Sequence, residues 1–521
     1  MKKILYLAIA LALSCNTAQK GINENVSTAK SDLTDPSVTF ASSISEEELK
    51  THLYTYASDE FEGRETGEPG QKKAVEYLRK QYQMMGIPAA QANGDYFQKV
   101  PLQVAGAPKG NILINNTNYA IGEHLITFSN PISGDYDIIY AGYGIETDTY
   151  SDYKNMDVSG KFVLIKSGEP KNSDGTYTLS NSNKPTDWSN WRESLANRFE
   201  IAKSKGAVGI LYYDDSYFSR VKRRYDYYTK SNHSGSMSFK SEEQEPVGII
   251  IDKSLAESLI SDISTNNQVK DLNVNITLDY NASIKDVDTE NVVSVIKGSE
   301  KPNEYIVISS HLDHIGISGD GEINNGADDD GSGSVAMLEI AEAFKKAEMD
   351  GFTPKRSIVF LHVTGEEKGL FGSAYYAEHP IFPLEQTVAD LNIDMIGRID
   401  PKREGDRNYI YLIGADKLSS ELHEISEATN EKYCKIELDY KYNDENDPNR
   451  FYYRSDHYNF AKNNVPVIFY FNGTHDDYHR PSDTPDKINY DLLANRAKLV
   501  FHTAWELANR EERIVVDKIT K

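Results

Sequence analysis

The sequence has little cysteine, a deficit of basic residues and no long apolar stretch beyond its first residues. Two Cys in 521 residues exclude a framework of several disulfides and a cysteine-rich zinc module. Lys and Arg total 56 against 80 Asp and Glu, so the formal net charge is −24. Because so acidic a chain repels phosphate and carries no basic stripe, we expect no nucleic-acid partner. The length predicts two or three globular domains.

An apolar run at residues 4–13 follows two lysines at the N-terminus. It is too short to span a bilayer and has the layout of an export signal. It ends at Cys15 in the sequence Ala-Leu-Ser-Cys, which resembles a bacterial lipobox. We therefore expect residues 1–15 to be a lipoprotein signal peptide, and the exported protein to be lipid-anchored at the bacterial cell envelope, facing the periplasm or at the outer membrane. A plain signal peptide is the alternative, and we expect no other contact with a membrane.

Three segments precede the part of the chain with candidate chemistry. Residues 16–44 are polar and predict a flexible linker, residues 45–107 predict a helical stretch, and residues 108–284 contain a set of short β-like runs. In the third segment, the polar stretches 170–190 and 213–245 predict long surface loops. This segment has no cluster of catalytic residue types, so we interpret it as an inserted β-rich domain without chemistry of its own.

Residues 285–521 alternate between apolar strands and helices. The predicted strands cover 292–296, 305–309, 358–363, 388–394 and 465–471, and the helices 332–346, 367–378, 419–430 and 490–508. Near-continuous apolar strands belong to a sheet with helices on both faces, which predicts a three-layer α/β/α fold. In such sheets ligands bind beyond the carboxyl ends of the strands.

Polar motifs lie where these strands end. They are His311-Leu312-Asp313-His314, Asp328-Asp329-Asp330, Gly365-Glu366-Glu367, Asn392-Ile393-Asp394 and Tyr478-His479. Imidazole and carboxylate without thiol suit zinc or another first-row divalent ion. The carboxylates exceed the needs of one tetrahedral site and would repel one another without a cation. We therefore expect two metal ions that share a bridging carboxylate.

With these motifs in this order, residues 286–521 and 45–105 resemble the co-catalytic two-zinc aminopeptidase family, which includes bacterial aminopeptidases, aminopeptidase Y, glutamate carboxypeptidase II and the glutaminyl cyclases. The resemblance implies a zinc-peptidase domain with a mixed sheet and two Zn²⁺ per chain, in which residues 45–107 form the N-terminal part and residues 285–521 the catalytic part. Residues 160–165 and 206–210 make the insert resemble the protease-associated (PA) domain of many members. Residues 57–64 resemble the family's N-terminal signature.

The resemblance also implies roles for individual residues. His311 and Asp394 would bind one zinc, Glu367 and His479 the other, and Asp329 would bridge them and precede a cis peptide bond. Glu366 would be the general base.

Residues beside these ligands have expected supporting roles. We expect Asp313 to orient the imidazole of His311, and Asp483 that of His479. Tyr478 is expected to donate to the oxyanion of the reaction, with ring packing as the alternative.

Other polar residues near the motifs have less specific interpretations. His314 is interpreted as structural. Residues 454–457 either border the substrate pocket or form buried ion pairs. The acidic residues at 444–447 form a solvated loop or, alternatively, bind calcium.

These features predict a zinc-dependent exopeptidase, foremost a metallo-aminopeptidase that removes N-terminal residues from peptide substrates. A carboxypeptidase or dipeptidase of the same fold, a glutaminyl cyclase and a non-catalytic receptor-like module are the alternatives. The insert is expected to cover or gate the cleft. The sequence leaves the side-chain preference and the oligomeric state open.

Overall fold

The computed structural model describes residues 35–230, 235–240 and 245–518. The predicted signal peptide with Cys15, and residues 16–34 of the predicted linker, therefore lie outside the described residues. Within the described ranges, no helix has both the length and the apolar character needed to cross a membrane.

The α-helices and β-strands of the described residues are numbered in chain order. The helices are α1 Pro36–Ala41, α2 Glu46–Tyr56, α3 Pro69–Met85, α4 Trp191–Ser204, α5 Asp215–Lys230, α6 Lys253–Leu259, α7 Gly333–Met349, α8 Phe371–Glu378, α9 Ser420–Tyr433, α10 His457–Ala461 and α11 Tyr490–Asn509. The strands are β1 Phe97–Ala105, β2 Lys109–Ile114, β3 Thr117–Ala120, β4 Leu125–Thr127, β5 Gly134–Tyr140, β6 Phe162–Lys166, β7 Gly209–Tyr213, β8 Ser236–Phe239, β9 Val247–Ile251, β10 Lys270–Asn281, β11 Ile284–Ile296, β12 Lys301–His311, β13 Arg356–Val363, β14 Thr387–Ile393, β15 Tyr409–Ile413, β16 Glu437–Asp439 and β17 Val467–Phe471.

A nine-stranded mixed sheet organises the C-terminal part of the chain. Its strand order is β16-β15-β17-β14-β12-β13-β11-β1-β8. The central strands β13, β12, β14 and β17 are parallel, whereas β11, β1, β8 and β15 introduce antiparallel pairs. This arrangement confirms the predicted α/β class with a mixed sheet.

Both faces of the central strands are buried under helices. Ile306 and Ile308 of β12 share a core with α7 and α11, while Val307 between them packs in a second core with Tyr376 of α8 and Phe460 of α10. Successive side chains of a strand point to opposite faces, so a strand covered on both sides must be apolar throughout. This burial explains the continuous apolar runs in the sequence.

The parallel strands end at one edge of this sheet and bring the polar motifs together there. β12 ends at His311, and β14 ends immediately before Asp394. β13 ends at Val363, three residues before Glu366. Residues as far apart in sequence as His311 and Asp394 therefore meet at the same edge.

A second sheet is built from residues 109–281. Its eight strands have the order β3-β2-β10-β5-β6-β7-β9-β4. β8 lies within the same stretch of sequence but pairs antiparallel with β1 at the end of the first sheet. The predicted insert thus has a sheet of its own and one strand in the other sheet; its identification as a PA domain stays a prediction.

Two stretches that the sequence analysis predicted as irregular are helical, so those predictions were wrong. α1 lies in the predicted linker, where Phe40 is 5% exposed and packs against Phe352 and Trp505. α5 occupies half of the predicted loop 213–245. It buries Val221 and Tyr225, but most of its other residues are polar or charged. Because its apolar face is so narrow, the sequence of this segment has the composition of a surface loop.

Arg64 connects the N-terminal signature to two of the polar motifs. Its guanidinium is buried and donates to four backbone carbonyls, those of Tyr56, Leu312, Asn325 and Gly326, at 2.7–3.3 Å. Leu312 follows His311, and Gly326 precedes the Asp328–Asp330 triplet, so one side chain fixes both loops.

We expect Arg64→Met to lower the free energy of unfolding by about 3 kcal/mol, because it leaves several buried carbonyls without a donor. Chemical denaturation measures this change. The control is Arg79→Met, which removes a guanidinium paired with Glu76 on the surface of α3 and should cost about 1 kcal/mol or less. Equal losses in the two variants would contradict the role given to Arg64.

Candidate metal centre

His311, Asp329 and Asp394 form a first group of candidate ligands. The Nε2 atom of His311 lies 3.2 Å from Oδ1 of Asp329 and 3.6 Å from Oδ1 of Asp394. The Nδ1 atom of His311 contacts the backbone carbonyl of Asp313 at 3.0 Å. Because a carbonyl can only accept, Nδ1 carries a proton, and Nε2 is the ring nitrogen that a metal ion would bind.

A second group contains Glu367, His479 and again Asp329. The Nε2 atom of His479 lies 3.0 Å from Oδ2 of Asp329 and 3.1 Å from Oε2 of Glu367. Asp329 therefore presents one carboxylate oxygen to each histidine. This is the placement that a carboxylate bridging two metal ions requires.

Asp328 and Asp330, the neighbours of Asp329 in the acidic triplet, accept hydrogen bonds from the backbone. Asp328 Oδ1 accepts the backbone N–H of Gly397 at 2.7 Å, and Asp330 Oδ1 accepts that of Met395 at 2.9 Å. Both carboxylates thus tie the triplet to the loop after Asp394. The peptide bond between Asp329 and Asp330 is cis, as the resemblance implied.

The predicted role of Asp483 was wrong. Its Oδ2 accepts the backbone N–H groups of Asp328 and Asp329 at 2.9 and 3.3 Å, and its carboxylate makes no hydrogen bond to His479 within the described residues. Asp483 therefore fixes the backbone of the bridging residue rather than the orientation of an imidazole.

Asp313 holds the imidazole of His311, as predicted, but it does so through its backbone carbonyl and not through its carboxylate. The carboxylate is fully buried and accepts the hydroxyl of Thr66 at 2.7 Å and the backbone N–H of Glu366 at 3.1 Å. Asp313 thus positions the segment of Glu366. Its partners lie far away in sequence, so no local pattern revealed them.

Burial and like charge act together on the acidic residues of this edge. Burial raises the pKa of Glu366 well above its usual range, and the carboxylates of Glu367 and Asp394 add to the effect. Burial alone would lower the pKa of His479, but the carboxylates of Asp329 and Glu367 raise it to about 10. Positive charge between these carboxylates, from protons or from cations, therefore stabilises the arrangement.

Several buried atoms face the space between the two groups without a hydrogen bond. In the part of the chain that the structure describes, His311 Nε2, His479 Nε2, Asp329 Oδ2 and Glu367 Oε1 have no partner of suitable geometry. Buried polar atoms normally have one. Nitrogen and carboxylate donors that converge in this way fit two divalent ions of the zinc type.

A narrow pocket adjoins the first group. Glu366, Asp329 and Asp394 line it on the side of the candidate metal ligands, and Tyr478 contributes to its wall. Its remaining wall is apolar apart from Thr474 and Arg454, and includes Met395, Phe451, Phe469 and Phe471.

A wider cleft of 430 Å³ adjoins the second group. It is lined by Glu367 and Lys368, by Arg224 and Tyr228 of α5, and by Met237 of β8. The candidate metal centre thus opens both to an aromatic pocket and to a cleft that the insert borders.

Three further predictions concern side chains near the centre. His314, interpreted as structural, lies inside the centre, with Nδ1 2.8 Å from Oε1 of Glu367. Arg454 borders the pocket, as one of its two interpretations predicted, and stacks on Phe451 at 4.9 Å. In the acidic loop, Asp447 accepts the backbone N–H of Phe451 at 3.1 Å, and the calcium alternative stays untested.

Comparisons with known proteins agree with this geometry. Residues 291–504 match the sequence profile of peptidase family M28. The matched range contains both candidate ligand groups and Glu366.

Curated relatives match parts of the chain. A probable leucine aminopeptidase of Aspergillus oryzae is 27% identical over 62% of this chain and 53% of its own. A probable glutamate carboxypeptidase of Arabidopsis thaliana is 35% identical over 20% of this chain and 14% of its own. The chain therefore spans about half, or less, of the length of these relatives.

A solved structure matches almost the whole chain. The aminopeptidase from Aneurinibacillus sp. strain AM-1 has a TM-score of 0.52 and 20% sequence identity, over 93% of this chain and 98% of that chain. At this identity the match shows a shared fold. Residues 291–504 of this chain thus resemble peptidase family M28 in sequence, and the fold and the ligand geometry agree with that match.

Proposed function

We propose that this protein is a zinc-dependent exopeptidase, and specifically an aminopeptidase that hydrolyses the N-terminal peptide bond of its substrate. The observation that carries the proposal is the pair of ligand groups that share Asp329, with Glu366 beside them at the same sheet edge. Paired metal ions held in this way suit hydrolysis. The Aspergillus oryzae relative, which is named an aminopeptidase, supports the choice of the N-terminus.

In this proposal five side chains hold two Zn²⁺ ions. They are His311 and Asp394 on the first ion, Glu367 and His479 on the second, and Asp329 on both. When bound, the zinc pair supplies Lewis acidity, which polarises a carbonyl and lowers the pKa of water.

Glu366 and Tyr478 supply the chemistry of the chain itself. Glu366 lines the pocket without belonging to either ligand group, and we assign it as the general base that takes a proton from water and passes it to the leaving amine. Tyr478 stacks on His479 at 3.9 Å and lines the same pocket, so its hydroxyl is available to a developing oxyanion. The stacking of Tyr478 on His479 also agrees with the alternative interpretation of Tyr478, which was ring packing.

The two openings of the centre suggest how a peptide lies. The aromatic pocket suits the side chain of one terminal residue, and the wider cleft suits the chain that continues from it. Because α5 and β8 border the cleft, the insert would limit the length of peptide that enters.

A carboxypeptidase of the same fold is the second candidate. The observation in its favour is Arg454 at the aromatic pocket, since a guanidinium can bind a terminal carboxylate. The Arabidopsis thaliana relative, named a probable glutamate carboxypeptidase, supports it as well.

The test is digestion of a peptide panel, followed by mass spectrometry, with the chain beginning after Cys15. Each peptide is supplied with a free and with an acetylated N-terminus, with and without a zinc chelator. The proposal predicts stepwise, chelator-sensitive loss of N-terminal residues from the free peptides alone. Chelator-sensitive shortening of acetylated peptides from their C-termini would establish the second candidate, and no cleavage of any peptide would remove both.

We expect Asp313→Asn to lower kcat by about 10- to 100-fold with little change in KM, because the carboxylate that holds the backbone of Glu366 loses its charge. Steady-state kinetics and metal analysis of the same preparation measure the effect. Thr66→Val, which removes only the other partner of Asp313, is the milder control. A normal kcat in metal-replete Asp313→Asn would contradict this role.

A further inference from the structure

His314 lies at the second ligand group although the family resemblance gives it no role there. Its ring is fully buried, and Nδ1 lies 2.8 Å from Oε1 of Glu367 and 3.7 Å from Oδ2 of Asp329. Within the described residues, neither ring nitrogen has a hydrogen-bond partner of suitable geometry. A buried imidazole without a partner requires an explanation.

The fold holds this imidazole in one place. The backbone N–H of His314 donates to the carbonyl of Arg64 at 3.2 Å. Gly326 lies against the ring, since a Cβ atom at that position would come within 2.5 Å of Cδ2 of His314. The ring of His479 lies 5.6 Å away, centroid to centroid, at a steep angle. The orientation of the ring is therefore set by packing, and its Nδ1 faces Asp329 and Glu367.

We propose that His314 binds the second metal ion directly through Nδ1, as a ligand additional to Asp329, Glu367 and His479. His314 is fully buried at this group, whereas the side chain of His479 is 34% exposed. This inference rests on the two-metal site of the proposed function.

The contact between His314 and Glu367 also has the length expected for two ligands of one metal ion. Two atoms each about 2.1 Å from one zinc ion are about 3.0 Å apart at a right angle and about 3.4 Å apart at a tetrahedral angle. The 2.8 Å between Nδ1 of His314 and Oε1 of Glu367 corresponds to the right angle of an expanded coordination shell. Among the residues that the structure describes, Nδ1 and Oε1 both lack a partner of suitable geometry, as do Nε2 of His311 and Nε2 of His479.

Spectroscopy of a bound paramagnetic ion distinguishes a His314 that binds the metal from a His314 that only contacts Glu367. The first measurement needs no variant: pulsed electron paramagnetic resonance counts the imidazole nitrogens on a paramagnetic divalent ion, Cu²⁺ or Mn²⁺, in the second site of the wild-type protein. Two bound imidazoles are expected there. A single one would overturn the inference.

The variant for the second measurement is His314→Gln, with His502→Gln as its control. His502 is also a buried histidine, but it stacks on Tyr433 in α9. The metal-free proteins are titrated with Co²⁺. His314→Gln should weaken the affinity of the second site for Co²⁺ by 100-fold or more and leave the affinity of the first site within about threefold of the wild type. It should also shift the visible absorption of the Co²⁺ bound in the second site. The control should bind like the wild type.

Each other result has a distinct meaning. Weaker binding with unchanged absorption would overturn ligation, because His314 would then act only through Glu367. Unchanged binding of both ions would overturn the inference as well. Failure of the wild-type protein to bind two ions would instead refute the two-metal proposal on which the inference rests.

Discussion

Glu366→Gln is expected to lower kcat by about 1,000-fold or more while both metal ions stay bound. Gln has nearly the same shape as Glu but cannot take a proton from water, and general-base catalysis contributes about 100- to 10,000-fold. Glu366 belongs to neither ligand group, and its backbone is held by Asp313, so the substitution leaves the metal ligands in place. Steady-state kinetics on the best peptide of the panel, with metal analysis of the same sample, measure both quantities.

The adjacent residue provides the matched control for this prediction. Glu367→Gln makes the same chemical change one position along the chain, but at a residue whose carboxylate faces His479. We expect it to lose the second metal ion, so its loss of activity should be partly restored by excess zinc. Activity of Glu366→Gln should not respond to zinc. A metal-loaded Glu366→Gln with the kcat of the wild type would overturn the assignment of the base.

The convergence of the candidate ligands was predictable from sequence because most of them lie at or just after the ends of buried strands. A buried parallel strand is recognisable from its apolar run, and whatever follows it must lie at the sheet edge. His311, Asp394 and Glu366 follow such runs closely, so their convergence needed no knowledge of distant contacts. His479 lies eight residues beyond β17, and its place came from the family resemblance rather than from a strand end.

The hydrogen-bond partners around the ligands were not predictable in the same way. The sequence analysis expected Asp313 to orient His311, and its backbone carbonyl does so, but the partners of its carboxylate, Thr66 and Glu366, were not predicted. Asp483 was assigned to His479, whereas its carboxylate accepts the backbone N–H groups of Asp328 and Asp329. Partners of buried carboxylates are chosen by packing among distant segments, and sequence spacing carries no information about them.

The position of His314 at the second ligand group was not predicted either. The second histidine of the motif was interpreted as structural because a lone buried histidine usually is. Its separation of three residues from His311 was the available signal, but the strand has ended by then, so strand alternation no longer sets its direction. The carbonyl of Arg64 and the flank of Gly326 set it instead, and both come from other parts of the chain.

Asp329→Asn is expected to weaken the binding of both metal ions by 100-fold or more, and to abolish activity at ordinary zinc concentrations. Asp329 is the one residue that the two candidate groups share, with Oδ1 toward His311 and Oδ2 toward His479. Asn has the same size, but its amide presents N–H groups to one of these sides and removes the bridging charge. Loss of one carboxylate should therefore affect two ions at once.

Calorimetric titration of the metal-free protein with Zn²⁺ measures both binding events, and thermal unfolding gives an independent readout. A ligand that binds only the folded state raises Tm, so the wild type should be stabilised by zinc and Asp329→Asn should not. Asp320→Asn, at an exposed position of the same region, is the control and should behave like the wild type. If Asp329→Asn lost only one ion and kept the other at full affinity, Asp329 would be an ordinary ligand, and the two zinc ions would not share a bridge.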